Sequence, residues 1–147
     1  MKIVLGADHG GFELKEQVKD FLVKLGYEIE DAGNLVYDAK DDYPDFAIKV
    51  AKIVSEGEAT KGIIICGSGV GACIAANKIN GVRACVCHDT YSAKQGVSHD
   101  DLNVLCLGGR IIGIETAKEL VLGFVQTSFS NEERHKRRLE KVLALEK

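Results

Sequence analysis

The sequence of 147 residues has no tryptophan, one proline and no excess of basic charge, with 19 Lys and Arg against 22 Asp and Glu. That balance argues against a dedicated nucleic-acid surface. No apolar run reaches the roughly 20 residues of a membrane-spanning helix. The start, Met1-Lys2-Ile3-Val4-Leu5-Gly6, enters a strand pattern directly, without a signal-peptide layout. A cytoplasmic protein with no membrane or nucleic-acid partner is therefore expected. Internal repeats, low-complexity tracts and interdomain linkers are also missing. The length suits one domain over residues 1–147, with one core.

An even cysteine framework is absent as well. Cys66, Cys73, Cys85, Cys87 and Cys106 are odd in number and sit mostly in apolar segments, as reduced thiols do. Cys85 and Cys87 would share one strand face, but their spacing is not that of zinc ligands, so no metal is expected.

What is present is an alternation of strand and helix patterns. Strands are expected at Ile3–Gly6, Glu28–Asp31, Gly62–Cys66, Arg83–Val86 and Val104–Leu107. Helical spacing links Leu14, Val18, Phe21, Leu22 and Leu25, then Ala47, Val50, Ala51 and Val54, then Ala117, Leu120, Val121 and Phe124. Pro44 and Asp45 mark the start of the second of these helices. This alternation implies an α/β fold with a parallel sheet covered on both faces and a ligand crevice at the carboxyl ends of its strands. Asn131–Lys147 reads as a charged helix that Leu139, Val142 and Leu143 could dock on a neighbour.

The richest segment is Cys66-Gly67-Ser68-Gly69-Val70-Gly71, which follows the β-branched run Gly62–Ile65 and precedes a short helix pattern, Ala72–Lys78. Glycines let a ligand approach the backbone, and a helix start offers free N–H groups to an anion. A cysteine beside such donors is a candidate base or nucleophile with its own oxyanion hole. The same glycines loosely match a dinucleotide fingerprint with Asp89 beyond the next strand, although the motif follows the third strand rather than the first.

Asp8, His9, Gly10 and Gly11 end the first strand. Asp8 reads either as a helix cap or, with His9 beside it, as part of a site. His99 and Asp100 precede the fifth strand, where His99 alone reads as a loop histidine. Arg110 follows that strand. Arg134 and Arg138 share a helical face, fitting either a solvated basic surface or a phosphate site.

Taken together, Asp8–Lys15, Asp42–Asp45, Cys66–Gly71, Ala75–Lys78, Gly108–Arg110 and Arg134-His135 with Arg138 resemble the ribose-5-phosphate isomerase B family, which includes galactose-6-phosphate isomerase subunits. The resemblance covers almost the whole chain. It implies a Rossmann-like three-layer sandwich with a five-stranded parallel sheet and a C-terminal helix reaching a partner subunit. It further implies a cofactor-free aldose–ketose isomerase of a sugar phosphate, with active sites shared in a homodimer, or in the dimers of a tetramer. Cys66 would be the base, Ser68 would lie near the sugar oxygens, and Gly67, Gly69, Val70 and Gly71 would hold the enediolate oxygen. His99, helped by Asp8, would open the sugar ring. His9, Arg110, Arg134 and Arg138 would surround the phosphate, and Tyr43 and Asn77 would shape the site.

Two departures bear on the substrate. The family carries His-Asn where this chain has His99-Asp100, and Ser130–Glu133 replaces a glycine pair. Ribose 5-phosphate leads. A tetrose 4-phosphate, a hexose 6-phosphate or a non-catalytic sugar-phosphate or nucleotide-binding module are the alternatives.

Overall fold

The computed structural model describes all 147 residues. Its elements alternate as expected: β1 (Lys2–Ala7), α1 (Phe12–Lys24), β2 (Glu28–Asp31), α2 (Tyr43–Ser55), β3 (Lys61–Cys66), α3 (Val70–Ala76), β4 (Ala84–Val86), α4 (Thr90–Asp100), β5 (Val104–Gly108), α5 (Ile114–Gln126) and α6 (Glu133–Leu143). All strand pairs are parallel, in the order β2-β1-β3-β5-β4.

The three inner strands read as continuous apolar runs because both of their faces are covered. On one face Leu5, Ile63, Ile65, Leu105 and Leu107 meet Leu14, Val18 and Leu22 of α1, Ala93 and Val97 of α4, and Leu120 and Phe124 of α5. On the other, Val4, Ile64, Cys66, Val104 and Cys106 meet Ala47, Val50 and Ala51 of α2 and Ala72 and Ala76 of α3. The result is the three-layer α/β sandwich.

One element was not legible as a helix. The stretch holding His99 forms α4, of which only Ala93 and Val97 are buried, so its apolar stripe is too thin to stand out. Asp89 caps it by accepting a hydrogen bond from the Ser92 N–H at 2.7 Å, which removes Asp89 from any nucleotide-binding role suggested by its position. Asp8, conversely, is no helix cap. Gly11 holds the cap position of α1, and Asp8 Oδ1 accepts from the Gly10 N–H at 2.9 Å.

A charge network braces α1 against the end of β2. Lys15 is fully buried, and its ammonium donates to both Asp31 oxygens at 2.8 and 2.9 Å and to the Asn34 carbonyl at 2.6 Å. Lys19 joins Asp31 at 2.7 Å and Glu16 at 2.8 Å. Lys15 falls on the stripe of Val18 and Leu22, a lysine where a leucine would be expected, and that was the sequence signal for its burial.

The carboxyl ends of β1, β3 and β5 come together through glycine. A Cβ on Gly11 would lie 2.1 Å from the Ile65 carbonyl oxygen, and one on Gly109 would lie 2.5 Å from that of Gly10. Gly113, by contrast, faces open space at the start of α5. Gly11→Ala is expected to cost at least about 3 kcal/mol, because backbone must move to admit the methyl. Gly113→Ala should stay within about 1 kcal/mol. Urea unfolding of the two variants checks the contrast.

Candidate active site

The crossover between β1 and β3 leaves a crevice at their carboxyl ends, where open α/β sheets bind ligands. Here a cavity of about 330 Å³ is lined by Asp8, Tyr43, Cys66, Gly67, Ser68, Gly71, Arg110 and Ile111. Cys66 ends β3 and is almost fully buried. The Gly69 N–H donates to its Sγ at 3.1 Å, which orients the sulfur toward the loop. Gly69 takes a left-handed φ of 83°, and its missing side chain lets the loop run against Leu107 and Gly108 of β5. The Val70 N–H leans on Ser68 Oγ at 3.3 Å. The loop is tied across the sheet by the Gly109 N–H to the Cys66 carbonyl, 2.7 Å, and the Arg110 N–H to the Gly67 carbonyl, 3.0 Å.

Arg110 also lines a second cavity of about 560 Å³, with His9, Gly10, Phe12, Glu13, Leu14, Tyr37 and Gly109. Its guanidinium has no hydrogen-bond or ion-pair partner within the chain. His9 is held by Asp41, whose Oδ1 accepts from the His9 backbone N–H at 2.9 Å and lies 2.7 Å from Nδ1. That hydrogen bond, reinforced by the charge of Asp8, raises the His9 pKa above its ordinary value. Burial works against the Asp41 carboxylate, but the His9 backbone and ring and Asn34 outweigh it, so the Asp41 pKa lies below the usual range. Ligand atoms of Asp8, His9 and Asp41 lie within 4.8 Å of one another, as a metal site would have them. Asp41 Oδ1 and Asp8 Oδ1 are already committed to His9 and Gly10 in hydrogen bonds.

Not every expected residue comes to this place. His99 lies in the last turn of α4, and in a parallel sheet each helix runs back to the opposite edge. There Asp101 pairs with Arg83 at 2.9 Å, and Asn103 bonds the backbone before β4. His99 stacks on the buried His135 of α6 with ring centroids 4.0 Å apart, and Ser130 Oγ lies 2.6 Å from His135 Nδ1. Burial first, then the neighbouring His99, lowers the His135 pKa. Arg134 pairs with Glu132 at 3.0 Å, while Arg138 has no partner. Asp100 is exposed and its carboxylate has no hydrogen-bond partner, whereas that of Asp101 next to it accepts from Arg83. Within one chain, His99, Arg134 and Arg138 thus form a separate basic group at the far edge of the sheet, with Asp100 beside His99. The resemblance implies a site shared between two subunits, and the helical path of α4 keeps these four residues apart from Cys66 within one chain.

Asn77 is also elsewhere. Its amide donates to the Ala84 carbonyl at 2.9 Å and accepts from the Ala84 N–H at 2.8 Å, so it braces β4. It borders a cavity of about 950 Å³ that Leu139 and Val142 of α6 line together with Cys85 and Cys87. The tail helix therefore folds back over its own chain, seating His135 against α4. Asp41, Asn34 and Lys15 are the supporting residues that sequence reasoning did not single out. Asp41 lies in a run of charged loop residues, Asp38 to Asp42, that marks no particular member.

A buried thiol beside a glycine loop, an acid, a hydroxyl and an unpaired guanidinium defines a class: an enzyme that moves protons on a small phosphorylated substrate. The profile of the Ribose/Galactose Isomerase family matches residues 3–142, and the chain belongs to that family. It is a sugar-phosphate aldose–ketose isomerase. The chain is 43% identical to the ribose-5-phosphate isomerase B of Escherichia coli over 99% of its own length and 96% of the relative's. It is 39% identical to the D-erythrulose-4-phosphate isomerase of Pectobacterium atrosepticum, covering 88% of this chain and 85% of that one. The ribose-5-phosphate isomerase B structure from Clostridium thermocellum superposes with a TM-score of 0.95 at 44% identity, covering 99% and 97% of the two chains. That from Mycoplasma genitalium, with bound ribulose-5-phosphate, gives 0.92 at 38% identity, covering 97% and 94%.

The Tyr43 wall offers a direct check. A Cβ on Gly71 would stand 2.6 Å from the ring of Tyr43, an exposed side chain that must shift to admit it. Gly71→Ala should keep the fold, seen as an unchanged circular dichroism spectrum, while lowering turnover by about tenfold to a hundredfold through misplacement of the cavity wall.

Proposed function

We propose that this isomerase interconverts ribose 5-phosphate and ribulose 5-phosphate, with Cys66 as the base, in a site that a second copy of the chain completes. One domain spanning residues 1–147 does this work. The reading rests chiefly on one observation: the Cys66 cavity and the cluster of His99, Arg134 and Arg138 lie at opposite edges of one sheet. A twofold dimer reconciles them, since each interface then repeats and brings one copy's far edge to the other's crevice.

The chemistry follows from the parts. His99 of the second copy, with Asp8, opens the sugar ring by moving a proton between the ring oxygen and the anomeric hydroxyl. The open aldehyde has a weakly acidic C–H at C2. Cys66 takes that proton and returns it to C1, while the C2 hydroxyl proton passes to O1, so that the C2 carbonyl and the C1 hydroxyl form together. Between these events an enediolate carries negative charge on oxygen, which the N–H groups at the start of α3 and the Ser68 hydroxyl stabilise. The phosphate, gripped by His9 and Arg110 and by Arg134 and Arg138 of the second copy, supplies binding energy that orients the carbons. Tyr43 closes the cavity beside Gly71.

A second reading keeps the chemistry and changes the sugar. Asp100 is an exposed carboxylate without a partner, and when ionised it accepts hydrogen bonds but donates none. One relative acts on a tetrose phosphate, as its name states. A panel of aldose phosphates from four to six carbons, assayed with and without chelator, decides between the readings. Ribose 5-phosphate should be turned over fastest and chelator should have no effect. Preference for a four-carbon phosphate that Asp100→Asn shifts toward ribose would establish the second reading.

Two variants test the mechanism and the shared site. Cys66→Ala should lose at least about a thousandfold in turnover and retain phosphate-ligand affinity. His99→Asn should likewise be impaired. Mixing equal amounts of the two and letting subunits exchange should restore about a quarter of wild-type activity, since half of the dimers then carry one intact site. No recovery, with exchange verified by mass spectrometry, would overturn the shared site.

A further inference from the structure

Nothing in the isomerisation itself explains why Asp41 spends its side chain on His9. Asp41 Oδ1 accepts from both the His9 backbone N–H, 2.9 Å, and ring Nδ1, 2.7 Å. Its other oxygen accepts from Asn34 Nδ2 at 3.2 Å. Asn34 is fixed in turn, its N–H donating to the Ala7 carbonyl at 2.8 Å and its carbonyl accepting from buried Lys15 at 2.6 Å. The Asp41 side chain is only 6% exposed, against 29% for His9. The arrangement commits Nδ1 inward and leaves Nε2 as the donor of a ring that borders the cavity shared with Gly10, Gly109 and Arg110.

Resting on the phosphate role proposed for His9, we infer that Asp41 is a positioning residue. It supplies the counter-charge that holds His9 as an imidazolium, so that the cavity selects a phosphate dianion. The groups facing His9 are Asp41 from the loop before α2, Asp8 beside it, Arg110 after β5, Glu13 in the first turn of α1, and Tyr37. Asp41 and Asp8 favour the charged ring, and Arg110 opposes it. A phosphate monoester gains its second charge near pH 6. An unassisted histidine beside a guanidinium would be losing its own charge in that range. Raising the His9 pKa therefore opens a pH window in which a dianion meets a charged His9 as well as Arg110 and the second copy's two arginines. Removing Asp41 narrows the window from its alkaline side.

The test is Asp41→Asn, which keeps the shape and both acceptor contacts at Oδ1, removes the charge and gives up only the 3.2 Å contact from Asn34. The His9 ring is titrated by NMR with and without inorganic phosphate as the probe. KM and kcat for ribose 5-phosphate, or for whichever sugar phosphate the panel selects, are followed from pH 6 to 9. In the wild type, His9 should titrate above a free histidine, and phosphate should move its signals. In the variant its titration should fall, phosphate affinity should weaken about tenfold at slightly alkaline pH, and the rise in KM should begin at lower pH. The change in kcat should be much smaller, and Asp41→Glu should restore part of the shift. A merely structural Asp41 would leave the pH at which KM rises unmoved, which would overturn the inference. If Asp41→Asn does not fold, the wild-type titration still decides, since a His9 pKa at or below the free value would also overturn it. Failure of the phosphate reading looks different: phosphate would leave the wild-type His9 signals unmoved, and the inference would fall with it.

Discussion

The structure depends on how closely three strand ends approach. At Gly10, Gly11, Gly108 and Gly109 the backbone leaving β1 and β5 is packed against backbone, that of the β3 end included, and a methyl group there would meet a carbonyl oxygen or amide within 3 Å. The contact fixes the Cys66 loop from beneath, through Gly109 and Arg110, rather than through side chains that could change rotamer. A thiol, an acid and a guanidinium arriving from three different strands are thereby held in one frame. Catalytic groups need that kind of placement, because small displacements cost large factors in rate.

Around this frame charge is distributed in two layers of support. Lys15, buried in α1, neutralises Asp31 and holds the Asn34 carbonyl; Asn34 steadies Asp41, and Asp41 steadies His9. The chain of contacts runs from the interior of a helix to the rim of a cavity. A buried ammonium is costly to desolvate and is tolerated here because each of its donors has an acceptor.

The sequence carried the sheet well. The inner strands are unbroken apolar runs, and glycine after each of them marks the crevice. Cys66, Ser68, Asp8, Tyr43 and Arg110 were legible because motif and strand end coincide. His99 was placed in a loop because α4 buries only two residues, and its distance from Cys66 within a chain depends on the direction of a helix that periodicity did not reveal. Asn77 stood out because it lies in a matching segment, and the brace its amide gives to β4 has no signature in the sequence. Asp41 was invisible among neighbouring aspartates, since what distinguishes it is a contact with a residue 32 positions away.

The role of Asn77 reaches beyond its own strand. β4 is an outer strand, and outer strands offer unpaired backbone to any passing chain. By giving both an acceptor and a donor to Ala84, the Asn77 side chain imitates the next strand and ends the ladder there. The opposite border, β2, is only four residues long, Glu28-Ile29-Glu30-Asp31, and its charged side chains make it a poor template for another strand. An open five-stranded sheet is thus finished at both margins by side chains alone, which guards a crowded solution of this protein against growth of one sheet into another.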